Sequence, residues 1–385
     1  MRILLVHNAY QQRGGEDSVV EAEVALLRSH GHAVETYIRS NDDVGGMSSL
    51  ALARQTLWSD RTMRESERLI GRFQPDVIHA HNTFPLISPS LYWAASACHV
   101  PVVQTLHNFR LLCPQAMLLR EGKVCEDCIG KLPWRGAVRR CYRESLPQSA
   151  GLVAMLGLHR ALGTYSHKVT RYIALNDFCR EVFVRGGLPA GRLRVKPNFV
   201  PDPGVALKER TGMLFVGRLS HEKGVSVLVD ALRSSTNLIC EVVGTGPEEG
   251  RLSDIPGVTL SGWRQADYIL ERMQSARALV MPSLCYENFP LTLAEAFACG
   301  LPVIASRLGA MEALVRDGET GLLFEPGNAD DLADKLMWAD AHPNDMARMG
   351  ETARREYEQN YTPQRNIEIL LDIYADAIAA NRGDA

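Results

Sequence analysis

Seven residues separate Glu287 from Glu295 in the stretch ENFPLTLAEAFACGLPVIAS, and Pro290 stands between them. Proline suits the first turn of a helix, where its missing N–H costs nothing, so the pattern predicts a helix opening at Pro290. The backbone donors that follow have no partner inside the helix and point out of its end, where phosphate oxygens can meet them. A carboxylate is a pure acceptor and can take both protons of a vicinal diol, such as a ribose or a hexose presents. Taken alone, the segment carries a second reading, in which Glu295 complements the helix dipole and Glu287 is solvated. Another stretch, FVGRLSHEKGVSVLVDAL, puts Arg218 directly after Gly217 at a strand end and Lys223 directly before Gly224 at a helix start. Two cations five residues apart on one strand-to-helix loop can grip a diphosphate from two sides, although solvated loop charges are the commoner fate of such residues.

Three further patterns bear on chemistry. Cys113, Cys125, Cys128 and Cys141 follow C-x11-C-x2-C-x12-C. The two-residue gap suits a metal knuckle and four thiolates suit a closed, structural zinc site; reduced cysteines on an irregular insertion are the alternative. His79 and His81 alternate along DVIHAHN and read as ordinary strand residues rather than a metal pair. In VVGTGPEEGRL, Gly244 and Gly246 begin a dinucleotide fingerprint, but Glu249 stands where its third glycine belongs, which argues against NAD.

These residues need elements to hold them. A chain of 385 residues exceeds one ordinary core and fits two domains. An apolar share of 46% with 23% charged residues is that of a soluble globular protein. The net charge of −3 supplies no global pull toward nucleic acid. The opening MRILLVHNAY has the short apolar run of a buried strand rather than of a secretory signal. No apolar stretch approaches the roughly 20 residues of a membrane span. Nine cysteines without a secretion signal indicate a reducing compartment, so the expected location is the cytoplasm.

Short apolar runs alternate with helical patterns: RILLVHN, HAVETYI, DVIHAHN, VPVVQTLHN and RYIALND, then GMLFVGRL, LICEVVG, VTLSGW, ALVMPS, PVIAS and GLLFEP. That βαβ rhythm predicts parallel sheets covered on both faces. Pro197, Pro201 and Pro203 mark the linker inside RLRVKPNFVPDPGVALKER. The expected domains are 1–197 with a cysteine-rich insertion at 113–141, then 198–360, and a last helix within 361–385 packing back on the first domain. Following the cysteines, KLPWRGAVRRCYRESLPQSAGLVAMLGLHRALGTYSHKVTRY carries eight Lys or Arg against one acid. With Trp134, Leu152, Val153, Met155 and Leu156 nearby, it reads either as a face for an anionic membrane or as a solvated face over a packed helix.

Together the two charged loops resemble the C-terminal domain of glycosyltransferase family 4, retaining enzymes of GT-B fold. That family shows G-R-x-x-x-x-K-G in one loop and Glu-x7-Glu in another, matched by Gly217-Arg218, Lys223-Gly224, Glu287 and Glu295. RGGEDSVVEAEVALLRSHGHAVE, DVIHAHN and QTLHNFR resemble its N-terminal half. The resemblance implies two Rossmann-like domains facing a deep cleft and transfer of a hexose from a UDP- or GDP-sugar. Arg218 and Lys223 would hold the pyrophosphate, Glu295 the ribose and Glu287 the transferred sugar, with His107 beside that sugar. Gly217, Gly244, Gly246, Trp263, Arg264, Asn288, Phe289, Pro290 and Leu291 would complete the donor site. Gly14, Gly15, His81, Asn108 and Asn176 would line the substrate cleft from the other side. The implied acceptor is a glycan or lipid-diphosphate-linked sugar at the inner membrane, in polysaccharide synthesis, with no catalytic metal. Asn288 and Pro290 replace both glycines of the family's E-G-F-G, Phe199 stands where glycine is usual, and Asn176 where Ser or Thr is common. An epimerase on the same fold and a non-catalytic nucleotide-sugar-binding component are the alternatives.

Overall fold

The structure, a computed structural model, describes residues 1–205, 209–235 and 238–383, apart from the side chains of residues 49 and 50. Residues 206–208 of the expected linker and the last two of the expected terminal helix therefore lie outside it. The chain divides into two compact units. One comprises Met1–Met117, Glu126–Pro197 and the chain from Asn366 onward; the other comprises Leu118–Cys125 and Asn198–Arg365.

In the first half of the chain the strands are β1 (Arg2–Ala9), β2 (Ala33–Ser40), β3 (Val77–Ala80) and β4 (Val102–Thr105), a hairpin of β5 (Leu119–Arg120) and β6 (Lys123–Val124), then β7 (Arg171–Ala174) and β8 (Leu193–Val195). Without the hairpin they form one parallel sheet in the order β2-β1-β3-β4-β7-β8. Ile3–Val6 of β1 and all of β3 and β4 are buried, as strands covered on both faces require. The second unit repeats the plan with β9 (Met213–Val216), β10 (Cys240–Val243), β11 (Val258–Gly262), β12 (Ala278–Met281), β13 (Val303–Ser306) and β14 (Gly321–Phe324), ordered β11-β10-β9-β12-β13-β14. Each sheet therefore reverses its winding once, between β1 and β3 and between β9 and β12. Crevices beyond the carboxyl ends of strands at such reversals are where open α/β sheets bind ligands.

Helix Pro363–Gly383 sends Ile367, Leu370, Ile373, Tyr374 and Ala377 into the core that holds Ile3, Val77, Val103 and Ile173. Arg171 grips Asp376 of this helix with two bonds of 2.8 Å, and Arg194 adds a third at 2.7 Å. The hydrogen bond from Arg171 leads in pulling the Asp376 carboxyl down to about 2.

Two features depart from the sequence reading. The insertion 113–141 does not stay with the first unit, because residues 118–125 group with the second. Their hairpin pairs with neither large sheet, and Gly122 packs so closely on His221 that a Cβ there would lie 2.8 Å from the ring. β8 was hidden inside the proline-rich linker: it is three residues long, interrupted by Arg194 and placed at a sheet edge.

Candidate active site

Because β9 and β12 are neighbours, the loops leaving their carboxyl ends emerge side by side. The Leu284 N–H donates to the Glu222 carbonyl at 2.9 Å, tying one loop to the other. Lys223 Nζ lies 2.6 Å from Glu287 Oε1, and Ser283 Oγ donates to the same oxygen at 2.9 Å. Burial disfavours charge on both Lys223 and Glu287, but their mutual attraction outweighs it, raising the lysine and lowering the carboxyl. The pair is ionised and only half shielded, with 33% of the lysine and 15% of the glutamate side chain exposed. Arg218 is exposed on the same loop.

The glycines let these loops close. Gly217 N–H donates to Val243, Gly244 N–H to Gly262, and Leu219 N–H to Thr245, at 3.0, 2.8 and 3.0 Å. A Cβ on Gly244 would sit 1.9 Å from the Gly217 oxygen, so no side chain fits there. Gly246 packs likewise on the Leu219 carbonyl. Helix Leu291–Ala298 starts one residue later than expected: Pro290 is its extended N-cap, φ −74° and ψ 116°, and its own side chain makes no capping hydrogen bond. Proline's fixed φ suits that entry as well as the first turn. Asn288, Phe289 and Pro290 are buried, and Phe289 meets the Tyr361 ring edge-on at 5.4 Å. Leu291 and Glu295 are half-buried, and burial raises the Glu295 carboxyl. After β11, Trp263 is 71% exposed and Arg264 lies over the Tyr268 ring at 5.0 Å.

In the first unit, Asp17 organises the loop after β1. It accepts from His7 Nε2 at 2.9 Å, from Gly14 N–H at 2.9 Å and from Tyr10 N–H at 3.3 Å, which holds Gly14 and Gly15 at the mouth of helix Gly15–Ser29. Beside it, burial pushes the Glu16 carboxyl up to about 7, with Tyr10 Oη donating to it at 2.9 Å. His81 Nδ1 and His107 Nε2 lie 2.8 Å apart, and both rings border a cavity of about 40 Å³ with Asn108 and Arg110. Asn108 Oδ1 accepts from the Arg110 N–H at 3.0 Å. Asn176 caps helix Asp177–Arg185, accepting from Cys179 N–H at 2.8 Å.

Beneath His81 lies a charged group that the sequence reading missed. Lys196 Nζ is 2.9 Å from Glu23 Oε2, with both side chains 1% exposed, and 3.3 Å from Asn366 Oδ1. Burial pushes the Glu23 carboxyl up, but Lys196 and His79 overcome it and hold the group well below its ordinary range. The one available signal was Glu23 itself, standing four residues after Val19 and four before Leu27 on the apolar face of its helix. The donor atoms of Glu23, His79 and His81 all lie within 4.8 Å of one another. The ammonium of Lys196 already neutralises the carboxylate, so a metal cation would meet a like charge there.

Cys113 and Cys128 are buried, Cys125 and Cys141 half-buried, and no disulfide joins cysteines among the described residues. Three belong to the first unit, while Cys125 ends the segment that groups with the second.

Residues 13–202 match the family described as Glycosyltransferase Family 4, and residues 202–356 that described as Glycosyl transferases group 1. The chain is a family 4 type glycosyltransferase. This glycosyltransferase is 28% identical over 361 residues to a D-inositol 3-phosphate glycosyltransferase of Pseudarthrobacter chlorophenolicus, covering 84% of this chain and 76% of that protein. To the alpha-D-kanosaminyltransferase of Streptomyces kanamyceticus it is 26% identical over 338 residues, 83% of this chain and 81% of the relative. Its match to the uncharacterized glycosyltransferase MJ1178 of Methanocaldococcus jannaschii spans only 47% of that protein and 42% of this chain, at 27% identity. In fold it resembles Anabaena Alr3699/HepE in complex with UDP, with TM-score 0.70, 18% identity and coverage of 97% of this chain and 100% of the other. Sucrose-phosphate synthase from Thermosynechococcus elongatus superimposes with TM-score 0.72 at 17% identity, over 98% and 99% of the two chains. The two-sheet architecture is thus the GT-B fold.

Proposed function

We propose that this glycosyltransferase moves a hexose from a UDP- or GDP-sugar to a hydroxyl of a glycan or lipid-diphosphate-linked acceptor, with retention, in the assembly of a cell-surface polysaccharide. The observation that carries the reading is the Lys223–Glu287 pair on adjoining loops at the winding reversal, beside the entrance of helix Leu291–Ala298. A structural relative has been seen with UDP and with UDP-glucose, which supports a nucleotide-sugar donor. When the glycosidic C–O bond breaks, negative charge grows on the departing β-phosphate. Arg218, Lys223 and the first N–H groups of helix Leu291–Ala298 are groups that can stabilise it. Lys223 would exchange part of its contact with Glu287 for phosphate, leaving Glu287 to accept from sugar hydroxyls and Glu295 from the ribose. In a front-face reaction a donor phosphate oxygen takes the acceptor proton, so no protein nucleophile or metal is required.

The test is a thermal-shift screen of UDP- and GDP-sugars followed by assay of released nucleotide in the presence of lipid acceptor. A selective donor should raise the melting temperature. Isomerised sugar would instead identify an epimerase, and binding without turnover a sensor.

Cytoplasmic, peripheral contact with the membrane belongs to the same proposal, with one revision of the residues. Leu152, Met155 and Leu156 are buried on the inner face of helix Leu146–Ala161 and cannot meet lipid. Leu132, Trp134, Val138, Leu146, Leu158 and Leu162 are exposed instead, among Arg135, Arg140 and Arg143. Co-sedimentation with anionic vesicles should weaken in Trp134→Ala and at high salt. A structural zinc on Cys113, Cys125, Cys128 and Cys141 rests on their spacing; about one zinc per chain by elemental analysis would support it, and none would remove it.

A further inference from the structure

The proton of His107 is placed by groups far beneath it. The Glu23 carboxylate can only accept hydrogen bonds. Its Oε2 takes the Lys196 ammonium, and its Oε1 faces His81 Nε2 at 3.3 Å. His79 Nδ1 also lies 2.9 Å from Oε1, but it is engaged by Tyr374 Oη at 2.7 Å. Glu23 Oε1 and His81 Nε2 are both buried, and among the described residues neither makes a well-aligned hydrogen bond, so each faces the other as a close polar contact. A bare ring nitrogen there would turn its lone pair toward a buried carboxylate oxygen with no donor of its own, so His81 carries its proton on Nε2. His81 Nδ1 is then a lone pair, 2.8 Å from His107 Nε2. That contact is a hydrogen bond only if His107 holds its own proton on Nε2. Burial, reinforced by the neighbouring imidazole, pushes His81 down to about 3 and His107 well below its ordinary value, so both rings are neutral.

We propose that Glu23 and His81 are positioning residues that lock His107 in the Nε2–H tautomer. The one nitrogen His107 keeps for a ligand, Nδ1, then accepts a hydrogen bond from a substrate hydroxyl and cannot donate one. Lys196, itself donating to Asn366, secures the far end by holding Glu23 charged and in place. The ligand half of this inference rests on the transferase reading; the tautomer does not.

Ring nitrogens of the full chain labelled with ¹⁵N-histidine report the tautomer directly, and His107→Gln assigns the signal. The expected spectrum shows a neutral His107 with protonated Nε2 and bare Nδ1; a protonated Nδ1 overturns the proposal. Glu23→Leu combined with Lys196→Met removes the carboxylate without stranding the ammonium. His107 should then divide between tautomers, and kcat should fall about tenfold with donor KM changed by less than about twofold. A His107 that stays wholly Nε2–H in that variant overturns the relay. If the double variant fails to fold, the wild-type spectrum decides the matter. If the wild type turns over no donor, the transferase reading falls while the spectrum still judges the tautomer.

Discussion

Each unit holds an acid–lysine pair near its winding reversal, and the two pairs live in different dielectrics. Glu23 and Lys196 are 1% exposed, whereas Glu287 and Lys223 keep 15% and 33% of their side chains in solvent. In the first, neither charge can be answered by water, so each depends on the other and the group behaves as a rigid base for His81. In the second, partial contact with solvent leaves the lysine able to change partners, as the proposed function requires of it. Burial thus separates a pair that organises from a pair that can bind.

The sharpest way to break this contrast is to remove one lysine at a time. Lys196→Ala should cost about 3–5 kcal/mol in denaturant unfolding, since it strands a buried carboxylate. Lys223→Ala should cost less, about 1–2 kcal/mol by the same measurement, because Glu287 keeps the Ser283 hydrogen bond and some contact with solvent; equal losses would refute the distinction. Activity should rank them the other way around. Lys223→Ala is expected to lower kcat on the order of 100- to 1,000-fold, the effect of deleting a donor aimed at developing charge, and to erase most of the thermal response to donor. A milder variant sharpens the first contrast: Glu23→Leu with Lys196→Met should lie within about 1 kcal/mol of wild type, because buried ion pairs replaced by apolar groups are often neutral.

The smallest effect belongs to a more exposed pair. Asp376, gripped by Arg171, is held at about 2 against an ordinary 3.8, so its ionised form is favoured in the folded chain. Its contribution is therefore fully present above pH 3.8 and is lost as pH falls through about 2. With 36% of the side chain exposed, solvent screening holds it to about 1 kcal/mol or less. Asp376→Asn should show that loss at neutral pH and match wild type in acid.

Much of this was readable from local pattern. The β-branched runs that alternate with helical periods correspond to β1–β4, β7 and β9–β14. The placement of Arg218, Lys223, Glu287 and Glu295 was legible because each stands a few residues beyond a strand end or within the first turns of a helix, where short-range spacing decides position. β8 was not, because three residues with an arginine at the centre carry no period. The outward apolar residues around helix Leu146–Ala161 were misassigned because both of its faces are rich in leucine, and only packing chooses between them.

By itself, then, the amino-acid order determined the alternation of strands and helices, the two-sheet class and the loops on which Arg218, Lys223 and Glu287 stand, all consequences of interactions spanning a few residues. Tertiary structure alone decided that Glu23 would meet Lys196 across 173 positions and His79 would meet Tyr374 across 295. It also sent the β5–β6 hairpin to the second unit. Those choices depend on which side chains close packing brings together and which it withdraws from water, and no periodicity along the chain encodes either.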